Sequence, residues 1–128
     1  MIKVLYINDD PAVALLEEAF EKASVEVEIM VAERIRVAKS YFLEGRVFDA
    51  IFMDFKLDCG ETAISNGLMK LALEKGFGVG KKPLIAYSQG HNHQLLEAGC
   101  SDACRWYDVE ALVYKLFYNL EYKKGETR

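Results

Sequence analysis

The 128 residues carry 16 lysines and arginines against 20 aspartates and glutamates, a formal net charge of −4, with 52% apolar and 28% charged residues. Those proportions exclude a disordered chain and fit one soluble globular domain with a real core; no basic patch stands out, which argues against direct nucleic-acid binding. No apolar run approaches the ~20 residues of a membrane span, no signal peptide opens the chain, and the three cysteines (Cys59, Cys100, Cys104) form no zinc-ligand array, so a reducing cytoplasm is the expected setting.

In chain order, Ile2 to Asn8 is β-branched and apolar and reads as the first strand. Asn8-Asp9-Asp10-Pro11 stops it and starts a helix, with Asp10 as N-cap and Pro11 in the first turn. Val13, Leu15, Leu16, Ala19, Phe20 and Ala23 then recur at helical spacing. Val25 to Ala32 alternates as a half-exposed strand at a sheet edge, and Ile35 to Leu43 is a second helix closed by Gly45. Ala50-Ile51-Phe52-Met53 is a continuously apolar run, too short for a helix, that reads as a strand buried on both faces and ending at Asp54.

Cys59 to Asn66 is a polar loop before a third helix over Gly67 to Glu74. Gly76 to Lys82 is expected to be a mobile connector; its alternating glycines precede a strand, not a helix, and so do not make a phosphate loop. Pro83 to Ser88 is the fourth strand, with proline at its first residue. A loop from Gln89 to His93 opens a helix ended by Gly99, and Ser101 to Trp106 is a fifth strand. Asp108 is expected to cap the last helix, whose stripe is Leu112, Val113, Leu116, Phe117 and Leu120. The domain is expected to span 1–122, with 123–128 as a polar tail.

Strict strand-helix alternation predicts an α/β doubly wound fold around a parallel sheet. Its carboxyl edge, where ligands collect in such sheets, then carries Asn8-Asp9-Asp10, Asp54 and Ser88. Taken alone, Asp54 is better read as merely capping a loop or the next helix. Carboxylates from two strands meeting at that edge change this. At 4 Å and an effective dielectric of 20, each pair repels by about 4 kcal/mol, so the cluster is stable only when a cation or proton neutralises it. Mg²⁺ suits such oxygen ligands and keeps positions open for a phosphoryl group.

With its acidic pair (Asp9, Asp10), its Asp54, its Ser88 and the run Leu96-Glu97-Ala98-Gly99-Cys100-Ser101-Asp102 in this order and at these intervals, the chain resembles the response-regulator receiver domain, the CheY-like family, along nearly its whole length. The resemblance implies a flavodoxin/CheY-like, five-stranded parallel sheet in the order 2-1-3-4-5 with helices on both faces. It further implies that Asp54 is the phosphoacceptor and that Asp9, Asp10, Asp54 and the backbone carbonyl of Lys56 hold Mg²⁺. Ser88 would hydrogen-bond the phosphoryl oxygen. A histidine kinase or phosphotransfer protein would supply the phosphoryl group. No effector domain follows, so output is expected through a protein partner on the face of helix 4, strand 5 and helix 5.

Receivers end their fifth strand in a lysine and a proline; here Trp106 and Tyr107 stand at those places, and Ala103 at the aromatic switch position. Arg105 is one residue early and should point to the opposite face. A missing charge-assisted hydrogen bond is worth roughly 1.5–3 kcal/mol. A bulge at Arg105, or a reach from Lys56 or Lys81, would be needed to replace it.

Other constellations carry less. His91 and His93 beside Ser88 form an acid-base or metal pair only on the reading of a metal-dependent phosphoester hydrolase; two loop histidines are more often surface residues. Trp106, Tyr107, Tyr114 and Tyr118 are read either as a partner surface or as cover for the core, with cover preferred for Tyr114. Cys100 and Cys104 read as buried small residues, and no Cys-His or Ser-His-Asp nucleophile arrangement is supported. The leading expectation is a stand-alone receiver whose only enzymatic act is its own phosphorylation and dephosphorylation. The alternatives are a phosphorylation-independent pseudo-receiver and the hydrolase.

Overall fold

The computed structural model describes residues 1–8, 12–57, 60–64 and 67–118. Five strands, β1 (Ile2–Ile7), β2 (Val27–Ala32), β3 (Ala50–Met53), β4 (Leu84–Tyr87) and β5 (Asp102–Cys104), alternate with α1 (Ala12–Lys22), α2 (Ile35–Leu43), α3 (Leu68–Glu74) and α4 (Asn92–Ala98). After β5 a 3-10 turn (Trp106–Asp108) leads into α5 (Val109–Val113), which continues as a π-helical turn over Tyr114–Tyr118. The strands form one sheet, ordered β2-β1-β3-β4-β5, with every pairing parallel. The doubly wound expectation holds, and β2 is the edge strand that its half-polar alternation implied.

Period-two alternation splits the core into two layers. Leu5, Ile7, Ile51, Met53, Leu84 and Ala86 face α2, α3 and α4, whose Ile35, Phe42, Leu68 and Leu95 pack against them. Val4, Tyr6, Ala50, Phe52, Ile85 and Tyr87 face α1 and α5, meeting Leu16, Phe20, Val113 and Phe117. All four residues of β3 are buried, which explains its unbroken apolar run. Phe52 is the hub of the second layer, with ring contacts to Phe20, Tyr87 and Phe117 at 6.4, 5.7 and 6.3 Å. Truncating such a ring to alanine costs about 3–5 kcal/mol.

Gly99 ends α4 at φ +132°, and a Cβ there would lie 3.1 Å from the Leu73 side chain, so only glycine lets α4 turn that close to α3.

Five details differ from the sequence reading. β5 stops at Cys104, because Trp106 turns into the 3-10 segment. Asp108 makes no side-chain cap bond to α5: that turn delivers it at φ −99°, ψ 2°, away from the extended geometry a cap needs. Residues 76–82 form a tied turn, with Gly78 N–H donating to Lys82 O (3.0 Å) and Lys82 N–H to Gly76 O (3.2 Å). Tyr114 does not cover the core; it is 54% exposed and stacks on Tyr118 at 4.6 Å. Cys104 is half-buried, whereas Cys100 is buried. Asp9, Asp10 and Pro11, Cys59, Leu120 and the expected tail at 123–128 lie outside the described residues.

Candidate functional site

At the carboxyl edge, β3 delivers Asp54 while its backbone N–H still donates to Ile7 O of β1 (3.3 Å). The residue is buried, at 7% exposure. Asn8, at the end of β1, donates its side-chain N–H to Asp54 Oδ2 at 2.8 Å, and the Phe55 N–H donates to Oδ1 at 2.7 Å. A carboxylate this far from water needs such donors, and two of them on different oxygens fix the plane of the group. Asn8 is fully buried. Sequence reading placed Asn8 at this edge and gave it no task; an amide directly after a buried strand is the signal that was there to use.

Past Asp54 the chain doubles back. Lys56 faces Thr62 in an antiparallel bridge closed by its neighbours: Leu57 N–H donates to Glu61 O (2.9 Å) and Ala63 N–H to Phe55 O (2.7 Å). In this kind of pair the facing residue's own carbonyl is not consumed by the ladder. The Lys56 carbonyl therefore stays available close to Asp54. Asp9 and Asp10, the other carboxylates expected here, lie outside the described residues.

One strand over, Ser88 follows β4 and is buried, its N–H donating to Asn92 Oδ1 at 2.9 Å. The same Asn92 donates from Nδ2 to Cys104 O (3.1 Å), so a single amide ties the ends of β4 and β5. Asn92 was missed, because in sequence it reads as one more polar residue in a helix-opening loop.

Trp106 occupies the place where the resemblance expects a lysine. Its indole N–H donates to Tyr87 O (3.2 Å), and its backbone N–H donates to Gln89 Oε1 (3.0 Å). The side chain thus brings no charge, and its one polar donor is already engaged. Arg105 does not replace the lysine either. It is exposed, its guanidinium donates to the Tyr107 hydroxyl at 2.8 Å, and that bond holds its pKa above the usual arginine value. Lys81 stands before β4, at the opposite end of a four-residue strand some 13 Å long, and is out of reach.

The histidines divide. His91 stacks on Phe55 (4.8 Å between ring centroids, 30° between planes), and its Nδ1 lies 3.0 Å from Gln94 Oε1. His93 lines a rim cavity of about 230 Å³ together with Gln89, Gly90, Asn92 and Arg105. They do not form a pair. Both free thiols are poor nucleophiles: burial, aided by Asp102, pushes Cys100 up to about 12, and burial, Asp108 and Asp102 do the same to Cys104.

No protein-family model matches the chain, and no curated protein matches it in sequence. Solved structures do match its fold. The receiver domain of Francisella response regulator 1452 is 20% identical with a TM-score of 0.62, the match covering 98% of this chain and 99% of that one. A response-regulator receiver domain from Rhodospirillum rubrum is 14% identical with a TM-score of 0.64, covering 94% of each chain. A response regulator in red-light signalling of R. palustris is 14% identical with a TM-score of 0.63, covering 92% of each. Together with the strand order, these likenesses establish the CheY-like receiver fold for this chain. No helix among the described residues is long and apolar enough to cross a membrane.

Proposed function

We propose that this chain is a receiver domain of two-component phosphorelay signalling, with Asp54 as its phosphoacceptor. The observation that carries the reading is the buried Asp54 carboxylate at the carboxyl end of β3, held at both oxygens on a receiver fold. A carboxylate oxygen of Asp54 attacks the phosphorus of a phosphohistidine or small phosphoryl donor, the bond from phosphorus to the donor breaks, and an acyl phosphate remains. Ser88, one strand away, offers a hydroxyl to the arriving phosphoryl oxygen.

The donor set fits Mg²⁺: all its ligand atoms are oxygens, from Asp54, the unspent Lys56 carbonyl, and Asp9 and Asp10 of the sequence. The ion supplies charge neutralisation for the incoming phosphoryl group. A histidine kinase or phosphotransfer protein is the phosphoryl source in this reading. Output passes to a protein partner over the α4–β5–α5 face, where Leu96, Tyr107 and Tyr114 are exposed. A cytoplasmic setting, consistent with the free Cys100 and Cys104, belongs to the same proposal, as does a single domain over 1–122.

A second reading, the phosphorylation-independent pseudo-receiver, is favoured by Trp106, whose indole N–H is committed to Tyr87 O. Intact mass after incubation with Mg²⁺ and a small phosphoryl donor decides between the two. The receiver reading expects one added phosphoryl group in the wild type and none in Asp54→Asn. No gain in the wild type, with Mg²⁺ binding retained by calorimetry, selects the pseudo-receiver.

A further inference from the structure

The end of the sheet opposite Asp54 has a chemistry of its own. The loops entering β3 and β4 lie side by side there, because β3 and β4 are neighbours in the sheet. Between them opens a cleft of about 220 Å³ lined by Phe42, Phe48 and Phe77 and by Arg46, Lys75 and Lys82; every charged residue lining it is a cation. The three rings meet edge to face, Phe42 lying 6.0 Å from Phe48 and 6.2 Å from Phe77. These cations are far apart in sequence, which is why no basic patch shows in a chain of net charge −4.

The three most exposed large apolar side chains of the described residues are Val79 (77%) in the turn before β4, Leu43 (76%) at the last residue of α2, and Val47 (67%) in the loop entering β3. Surface aliphatics scattered singly need no explanation, but Val47 lines the cationic cleft itself. The walls are formed in advance. Lys82 donates to Phe48 O (3.0 Å) with its Nζ 5.6 Å above the Phe77 ring, and Arg46 lies 5.1 Å above Tyr41 while its Nε donates to exposed Glu44 (3.0 Å). Lys75 and Lys81 have no ion-pair partner among the described residues.

We infer that this cleft is a docking site for an acidic segment of a partner protein that carries an apolar anchor residue. The cationic lining selects carboxylates, which steer approach and fix register. The hollow takes one apolar side chain, and exposed Val47, which lines it, loses its surface to that anchor. An anionic bilayer is the poorer occupant. It favours clusters of roughly four to eight unopposed cations on a surface that is not hollow, whereas Glu44 and Glu74 share this rim. The site needs nothing from Asp54 and stays open while the carboxyl edge is engaged.

The test is selection from a displayed random-peptide library on the wild type, followed by binding of the enriched peptides to Arg46→Glu/Lys75→Glu, two cations of the lining. Both positions are exposed, so the reversals leave the fold intact. The enriched peptides should carry aspartate or glutamate around an aromatic or aliphatic residue and shift the backbone amide resonances of residues 43–48 and 75–82. They should bind the reversed variant at least about ten-fold more weakly, and Asp54→Asn as well as the wild type. Acid-poor enrichment, equal binding to the reversed variant, shifts confined to the carboxyl edge, or no enrichment beside binding to phosphatidylglycerol vesicles would each overturn the inference.

Discussion

The two halves of the carboxyl edge are built from different chemistry. On the β1–β3 half, a buried carboxylate is aimed by two N–H donors, and a backbone carbonyl beside it is left unspent. On the β4–β5 half, neutral groups close on one another: Asn92 joins Ser88 N–H to Cys104 O, Gln89 accepts from the Trp106 backbone, and the indole donates to Tyr87 O. In the proposed function the first half is the one that takes the phosphoryl group. Among the described residues the second brings no cation to the place where the resemblance expects a lysine. On the proposed function, acceptance and the response to it would then be separable, since a charge-assisted hydrogen bond is roughly twice as strong as a neutral one.

The largest effect should come from the acceptor half. Asp54→Asn is expected to abolish phosphoryl uptake in intact-mass measurements and to lower stability by about 1–3 kcal/mol, because its amide nitrogen replaces one of the two oxygens that accept from Asn8 and Phe55. Any uptake by this variant would move the acceptor elsewhere. Next comes the closing half. Trp106→Lys supplies the missing cation and should raise the phosphorylated fraction at limiting donor by about ten-fold, given roughly 1.5–3 kcal/mol for such a bond less the lost indole contact. An unchanged fraction would mean that the cation is unnecessary on this scaffold.

A third effect reads the β5 side through pH. Cys100 and Cys104 keep their protons in the folded state up to about 12, against an ordinary value of 9.0. Between those values the unfolded chain binds fewer protons than the folded one, so stability falls as pH rises. The contribution is fully present below about pH 9 and is lost as pH climbs toward 12. Urea melts at pH 9 and pH 11 should show a loss larger by about 2 kcal/mol for each thiol, about 4 kcal/mol in all, in the wild type than in Cys100→Ala/Cys104→Ala; equal losses would remove the thiols from the account. The smallest effect is Asn92→Ala. It should cost about 1–2 kcal/mol and speed amide exchange at Ser88 while leaving the Asp54 amide protected. Equal loosening at both amides would erase the distinction between the halves.

Much of this architecture was legible because it is written in local patterns. The unbroken apolar run Ala50 to Met53 belongs to a strand buried on both faces, and the alternation before Ala32 to an edge strand. Asp54 could be singled out only together with Asp9 and Asp10, because the strand order brings the ends of the first and third strands to one edge. The β4–β5 closure was not legible. It depends on which amide reaches which carbonyl across 12 residues, from Asn92 to Cys104, and no periodicity encodes that. Tyr114 was misjudged as cover for the core: it lies beside the stripe of Leu112, Val113, Leu116 and Phe117, where the helix turns π-helical, and its ring is left outside. The cleft at the other edge brings Arg46 and Lys82 together only through the neighbouring of β3 and β4.

The chain holds a single tryptophan, and the fold has put it at the seam between β4 and β5. Indole emission shifts with the polarity and hydrogen bonding of its surroundings, so the wild-type protein comes with an optical probe at the position where its site departs from the receiver pattern. With no label attached, an emission titration would register any rearrangement of that seam, and a spectrum unmoved by phosphorylation would describe a rim that stays shut.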